Sequence, residues 1–297
     1  MERKNESQMK HKFLYIIGLV GMVSALAGCS DEGTEPLRSL ANTEQTNLSV
    51  IKLATDRDDG TISLSVDAPA AARTGVWIDL NGDGERAADG SEDVKVFNAY
   101  TDYKFPKGSK GLTVHGDITY LGCACDQLTK IEVTGNPYLT TLNCPQNGLT
   151  DMDLSKNTTL QRLDCSDNKI KSLDVSANTA LVSLWCYGNQ LTSLDVSGNM
   201  ELAALDCSGN QLTALDVSKN LSLERLICYH NDLTSLDVSK NVNLNRLWIY
   251  GNPFPESEIT KLQTMLSEVA KGDIWIGNQS TADELKEELS SKGWTVR

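Results

Sequence analysis

The stretch LTSLDVSGNMELAALDCSGNQLTALDVSKN, Leu191–Asn220, states one phrase three times. LTSLDVSGN, LAALDCSGN and LTALDVSKN share the frame L-x-x-L-D-(V/C)-S-x-N, with valine and cysteine trading places. Working outward, the cysteines fall at 123, 144, 165, 186, 207 and 228, each 21 residues after the last. Leu121, Leu142, Leu163, Leu184, Leu205, Leu226 and Leu247 keep the same phase, as do Asn147, Asn168, Asn189, Asn210, Asn231 and Asn252, with Asp126 at the head of the asparagine column. The unit is L-x-C-x-x-N-x-L-T-x-L-D-V-S-x-N-x-x-L-x-x, repeated from Leu121 to Asn252.

In L-x-(C/V), alternation points both apolar residues inward and the middle residue out. Each half of the unit then predicts one short strand and a turn, so that a coil has a strand on each side. No coil buries its own apolar face. Stacking at ~4.8 Å closes a continuous core and pairs the strands into two parallel sheets. The asparagines stand where the chain turns inward, and their amides are placed to bond backbone groups that water does not reach.

The segment LxxLxCxxNxL, for example Leu181 to Leu191, resembles the strand and turn of leucine-rich repeats, with cysteine in an aliphatic slot. The nested form is similar to the short bacterial repeats called IRREKO and to the cysteine-ladder internalins. The resemblance covers about residues 121–252. It implies a leucine-rich-repeat solenoid with parallel sheets and a role in adhesive binding of a host or matrix partner.

The flanks complete the expected architecture. From Met9 the chain reads MKHKFLYIIGLVGMVSALAGC, with Lys10 and Lys12 before an apolar run from Phe13 to Ala27, then Cys29. That pattern is a signal peptide over 1–28. Leu26-Ala27-Gly28-Cys29 resembles a lipobox, which implies lipidation at Cys29 and anchoring to an outer membrane, with surface exposure expected. A polar tether follows over 29–47. A small β-rich domain is expected over 48–120, with strand-like runs at Ile62–Val66, Val76–Leu80, Val94–Phe97 and Leu112–Val114. Over 253–297, helical spacing after Pro253 and Pro255, Asp273–Ile276 as a strand, a second helix near Thr281–Ser291 and a last strand at Trp294–Val296 predict an α/β cap.

A formal charge of −13 argues against nucleic acid as a partner. No HExxH, GxSxG or phosphate loop is present, so a binding protein is expected rather than an enzyme. The cysteine ladder suits a crowded core slot, since in-register thiols point parallel rather than at each other. Cys125, off register, is expected to be exposed. Asp153, Asp174, Asp195, Asp216 and Asp237 form a uniform outward stripe on the LDV side.

The positions beside the cysteines vary, and they become aromatic toward the C-terminal half. Trp185, Tyr187, Tyr229, Trp248 and Tyr250, with Asp164, Asp206 and His230 nearby, are therefore the candidate ligand-binding residues. Exposed aromatics among polar neighbours suit a protein or a glycan ligand. The alternative for these rings is packing on one another or on the cap. The alternative for the whole protein is a structural scaffold of an outer-membrane complex, with a hydrolase behind that. Asp79, Asn81 and Asp83, followed by Gly84, open like a calcium loop but end on Gly90 where an acid is expected. A tight Asn-Gly and Asp-Gly turn reads equally from these residues.

Overall fold

A computed structural model describes residues 49–297, except residue 107 and residues 267–271 and 278–281; side chains are described outside 282–286 as well. The expected signal peptide and tether, with Cys29, lie outside the described residues.

The cysteine half of every coil forms a strand, and these strands stack in one parallel ladder. They are β6 (Tyr120–Gly122), β8 (Thr141–Asn143), β9 (Arg162–Asp164), β10 (Ser183–Trp185), β11 (Ala204–Asp206), β12 (Arg225–Ile227) and β13 (Arg246–Trp248). Register is strict: Leu163, Leu184, Leu205, Leu226 and Leu247 are successive Cα partners. The inward leucines and cysteines are almost wholly buried, in one core that runs the length of the stack.

The LDV halves depart from the expected second sheet. Beyond the first coil they form no strand ladder; a single backbone bond such as Gln190 N to Ile170 O joins neighbouring coils there, and the turn amides that follow are taken by local acceptors. Asp174 Oδ1 accepts the Ser176 amide at 2.9 Å, Val175 O accepts Asn178 N, and Asn178 O accepts Leu181 N. The turn chemistry of DVSxN thus closes each LDV half locally.

Asparagine amides join the coils on both sides. Asn189 accepts the Ile170 amide at 3.0 Å and donates Nδ2 to the carbonyls of Cys165 and Cys186 at 3.0 and 3.1 Å. On the LDV side Asn199 donates to Val175 O and Asn178 O at 3.0 and 2.9 Å. Asp126 replaces asparagine at the head of its column for a chemical reason. It meets a donor in place of a carbonyl: Ser63 N bonds its Oδ1 at 3.0 Å, with Arg57 at 3.6 Å. A carboxylate suits donors and an amide suits carbonyls.

Both ends of the stack are covered by elements that join its sheets. At the start, β1 (Val50–Thr55), β2 (Thr61–Asp67), β3 (Trp77–Asp79), β4 (Thr101–Lys104), β5 (Gly111–His115) and β7 (Leu128–Glu132) are antiparallel. β2 pairs with both β4 and β6, so the repeat sheet continues into this region. The order β3-β5-β1-β7 makes a second sheet. Val94–Phe97, expected as a strand, is an irregular segment touching the sheet by one bridge, Trp77 to Asp93; Val94 is buried but Val96 is exposed. At the other end, helices α1 (Glu256–Leu266) and α2 (Ala282–Ser291) stand where LDV halves would be. They alternate with β14 (Asp273–Trp275) and β15 (Thr295–Val296), which extend the parallel ladder. Ile259, Leu262, Leu266, Leu289 and Trp294 are buried over the last coil, and Trp294 Nε1 bonds Leu266 O at 3.1 Å. A helix has more apolar area per residue than a turn, so βα units close the core where coils stop.

Candidate functional site

Each coil presents outward residues on the cysteine strand in fixed columns. One column is Asn143, Asp164, Trp185, Asp206, Ile227, Trp248 and Trp275, paired in register from strand to strand. The next, beyond the cysteine, holds Ser166, Tyr187, Ser208, Tyr229 and Tyr250. The structure brings four of the expected residues together at the C-terminal end. Tyr229 and Tyr250 stack with centroids 4.5 Å apart and 8° between planes, and His230 meets both edge-on at 5.4 and 5.1 Å. Trp248 reaches the group through a ring that the sequence reading missed: Trp275 of β14 lies 4.4 Å from Tyr250 and 5.7 Å from Trp248. Trp275 falls 27 residues after Trp248 rather than 21, so no periodic signal marks it.

These rings are half-buried, and the packing explains their attitude. Tyr229 lies one coil before Tyr250 and Trp275 one coil after it, which leaves the ring edges outward. Asp164 and Asp206 do not join the aromatic group. They flank Trp185 in register, two coils or more from Tyr250. Each carboxylate is held by the serine two residues on: Ser166 and Ser208 donate hydroxyls to Oδ1 at 2.6 Å and amides at 3.1 Å. Burial outweighs these bonds and pushes both carboxyls up to about 6. Tyr187 follows Trp185 on the same face, half-buried.

Beyond these columns, one position per coil is left-handed: Cys125, Gln146, Asp167, Gly188, Gly209, His230 and Gly251. Glycine at two of them makes room for a neighbour. A Cβ on Gly188 would stand 2.3 Å from Asp167 Oδ1, and one on Gly251 would stand 2.2 Å from His230 Nδ1. His230, exposed, is thus laid over the next coil. Two further residues were legible and missed. Arg225 and Arg246 occupy the outward position before the strand leucine, one step earlier in the same alternation.

The cysteines offer no such site. All seven described cysteines are free and buried. Cys125 is buried, contrary to expectation: its thiol bonds Gln146 Oε1 at 3.0 Å in the equivalent slot of the next coil. Burial holds the thiols of Cys165, Cys186, Cys207 and Cys228 well above their ordinary range, so they stay protonated and unreactive. In the Asp79 loop, Asp79 accepts the amides of Gly82 and Gly84 at 2.6 and 3.0 Å, Asn81 accepts that of Asp83, and Asp83 accepts that of Glu85. Glu92, two residues past Gly90, accepts Leu80 N and Ala87 N at 2.9 Å each. Among the described residues no group of three or more acids, cysteines or histidines is placed to hold a metal ion.

The class this geometry defines is the leucine-rich repeat solenoid, and residues 158–199 match the family described as leucine rich repeats in two copies. Among solved structures, internalin InlF of Listeria monocytogenes is 20% identical, with a TM-score of 0.50 over 57% of this chain and 51% of that one. The functional domain of InlJ from the same organism, described as including a cysteine ladder, is 27% identical over 62% of this chain and 50% of that one, at a TM-score of 0.43. A leucine-rich repeat protein of Leptospira interrogans is 26% identical over 48% of this chain and 38% of that one, at 0.45. No curated protein matches the chain significantly. The fold is a leucine-rich-repeat solenoid similar to that of internalin InlF, and the chain spans about half the length of the two Listeria structures.

Proposed function

We infer that this protein is a lipid-anchored envelope receptor that binds a protein partner through the cysteine-strand face of its C-terminal coils. The observation that carries the reading is the aromatic column work: Tyr229, Tyr250, Trp248 and Trp275 gather on one face of a frame that otherwise repeats. Tyrosine and tryptophan dominate binding hot spots because they bring large area at little rotamer entropy. The geometry of the stack favours a protein over a glycan. A pyranose docks on an open ring face, whereas Tyr250 is stacked on Tyr229 and tilted against Trp275. Protein side chains suit such a surface better than a sugar.

The test is surface plasmon resonance of the chain against a panel of envelope and host proteins and a glycan array. Tyr229→Ser/Tyr250→Ser is the informative variant, since serine stands at the same position as Ser166 and Ser208. Loss of a protein ligand by the folded variant supports the reading. Retention of every ligand by that variant would falsify it, and ligands confined to the glycan array would reassign the class. Protease shaving of intact cells tests the outward location.

A further inference from the structure

We propose that Arg225 and Arg246 form a clamp for a carboxylate side chain of the protein partner, an aspartate or glutamate presented beside the aromatic stack. This rests on the reading of the face as a protein-binding surface.

The two arginines are direct Cα partners on β12 and β13, strands that lie ~4.8 Å apart. Both are half-buried. Like charges directly opposite each other on neighbouring strands are destabilising, and the frame does not require them. The same column carries Thr141, Ser183 and Ala204 in other coils. In a chain with 40 acids against 27 bases, partners are plentiful. Arg57, Arg73, Arg86 and Arg297 each have an acid within ion-pair distance, yet among the described residues neither Arg225 nor Arg246 has one.

Two acids of the adjoining strands are committed elsewhere. Asp273 follows Arg246 in the column, but it pairs with Arg297 at 3.1 Å and accepts Trp248 Nε1 at 3.2 Å. Asp206, one strand back from Arg225, is held by Ser208. Trp248 positions the second arginine: the Arg246 guanidinium carbon lies 5.6 Å from its ring centroid. A guanidinium held over an indole by cation–π attraction keeps its N–H donors for a bidentate acceptor. Two such forks side by side with no internal anion match one carboxylate. Ile227 and Trp248 then offer the apolar contact next to it.

The probe is a fluorescein-labelled octapeptide of alternating glutamate and leucine, titrated into the full chain and followed by anisotropy. Its lysine–leucine counterpart and 3′-sialyllactose are the comparison arms. The acidic peptide is expected to bind despite the chain's negative charge, and Arg225→Ser/Arg246→Ser to weaken it by about tenfold or more. Arg162→Ser, a lone arginine of the same column, leaves the affinity unchanged. The double variant is expected to melt at or above the wild-type temperature, because a repulsion has been removed. A lower melting temperature would make the pair structural and overturn the clamp. So would undetectable binding, equal binding by the double variant, or arginine-dependent binding of the sialyl sugar alone. If Tyr229→Ser/Tyr250→Ser abolishes peptide binding while the arginine variant does not, the clamp fails and the binding face stands. If neither variant changes it, both fail.

Discussion

The two sides of each coil use the same residue, aspartate, under opposite conditions. On the LDV side Asp174, Asp195 and Asp216 are exposed, and the serine two residues on holds their carboxyls below the usual range through its hydroxyl and amide. On the cysteine side Asp164, buried, and Asp206, half-buried, keep the same serine bonds beside Trp185, and desolvation pushes their carboxyls up to about 6. The first set serves the turn that the frame repeats. The second departs from the frame and carries a desolvation penalty at neutral pH. Uniform columns mark structure here, and strained exceptions mark the face that varies.

The largest test attacks what both sides share. Asn189→Asp and Asn199→Asp each bring a carboxylate against two carbonyls that now accept N–H bonds. Each is expected to lose about 3–5 kcal/mol, read by urea denaturation at pH 7. If either variant keeps wild-type stability, the amide ladder does not join the coils.

Next in size is the cysteine slot. Cys186→Ser places a hydroxyl where a thiol is fully buried, at a loss of about 1–3 kcal/mol. Iodoacetamide should leave the described cysteines unmodified in the native protein and label them after unfolding. Rapid native labelling would mean the ladder is open to solvent.

The pH response separates the two aspartate sets by sign. With folded values near 6 against an ordinary 3.8, Asp164 and Asp206 bind more protons in the native state than in the unfolded chain between about pH 4 and 6. Their contribution to stability therefore falls as pH rises through that window. Asp164→Asn keeps an acceptor for Ser166 and removes the charge, so at pH 7.5 it is expected to gain about 1–3 kcal/mol, a gain that vanishes near pH 4. The LDV aspartates act the other way. Their carboxyls lie below the ordinary value, so their contribution is present at neutral pH and lost as pH falls through the depressed folded value. The smallest effect is Asp195→Asn, which keeps the bond to Ser197 N and relieves column repulsion; its melting temperature should match wild type at pH 7.

Much of this was legible before the fold was known. A 21-residue spacing of cysteine, leucine and asparagine dictates which residues face inward, because only a stack of coils buries so narrow an apolar stripe. The same alternation named Trp185, Tyr229, Trp248 and Tyr250 as outward residues. Arg225 and Arg246 were equally readable, one position earlier on the strand, and were passed over because nothing in one coil shows that two like charges stand opposite each other. Trp275 had no signal at all, since helix α1 lengthens its unit and breaks the phase.

The sequence by itself determined the repeat, its core and the orientation of each column, since those follow from local alternation summed over identical coils. The tertiary structure alone decided that the LDV halves beyond the first coil would forgo a sheet and close on local turn bonds instead. It also buried Cys125, turned Asp273 toward Arg297, and set Trp275 against Tyr250. Each depends on what the neighbouring coil or the cap places within a few ångströms, which a single coil's sequence does not contain.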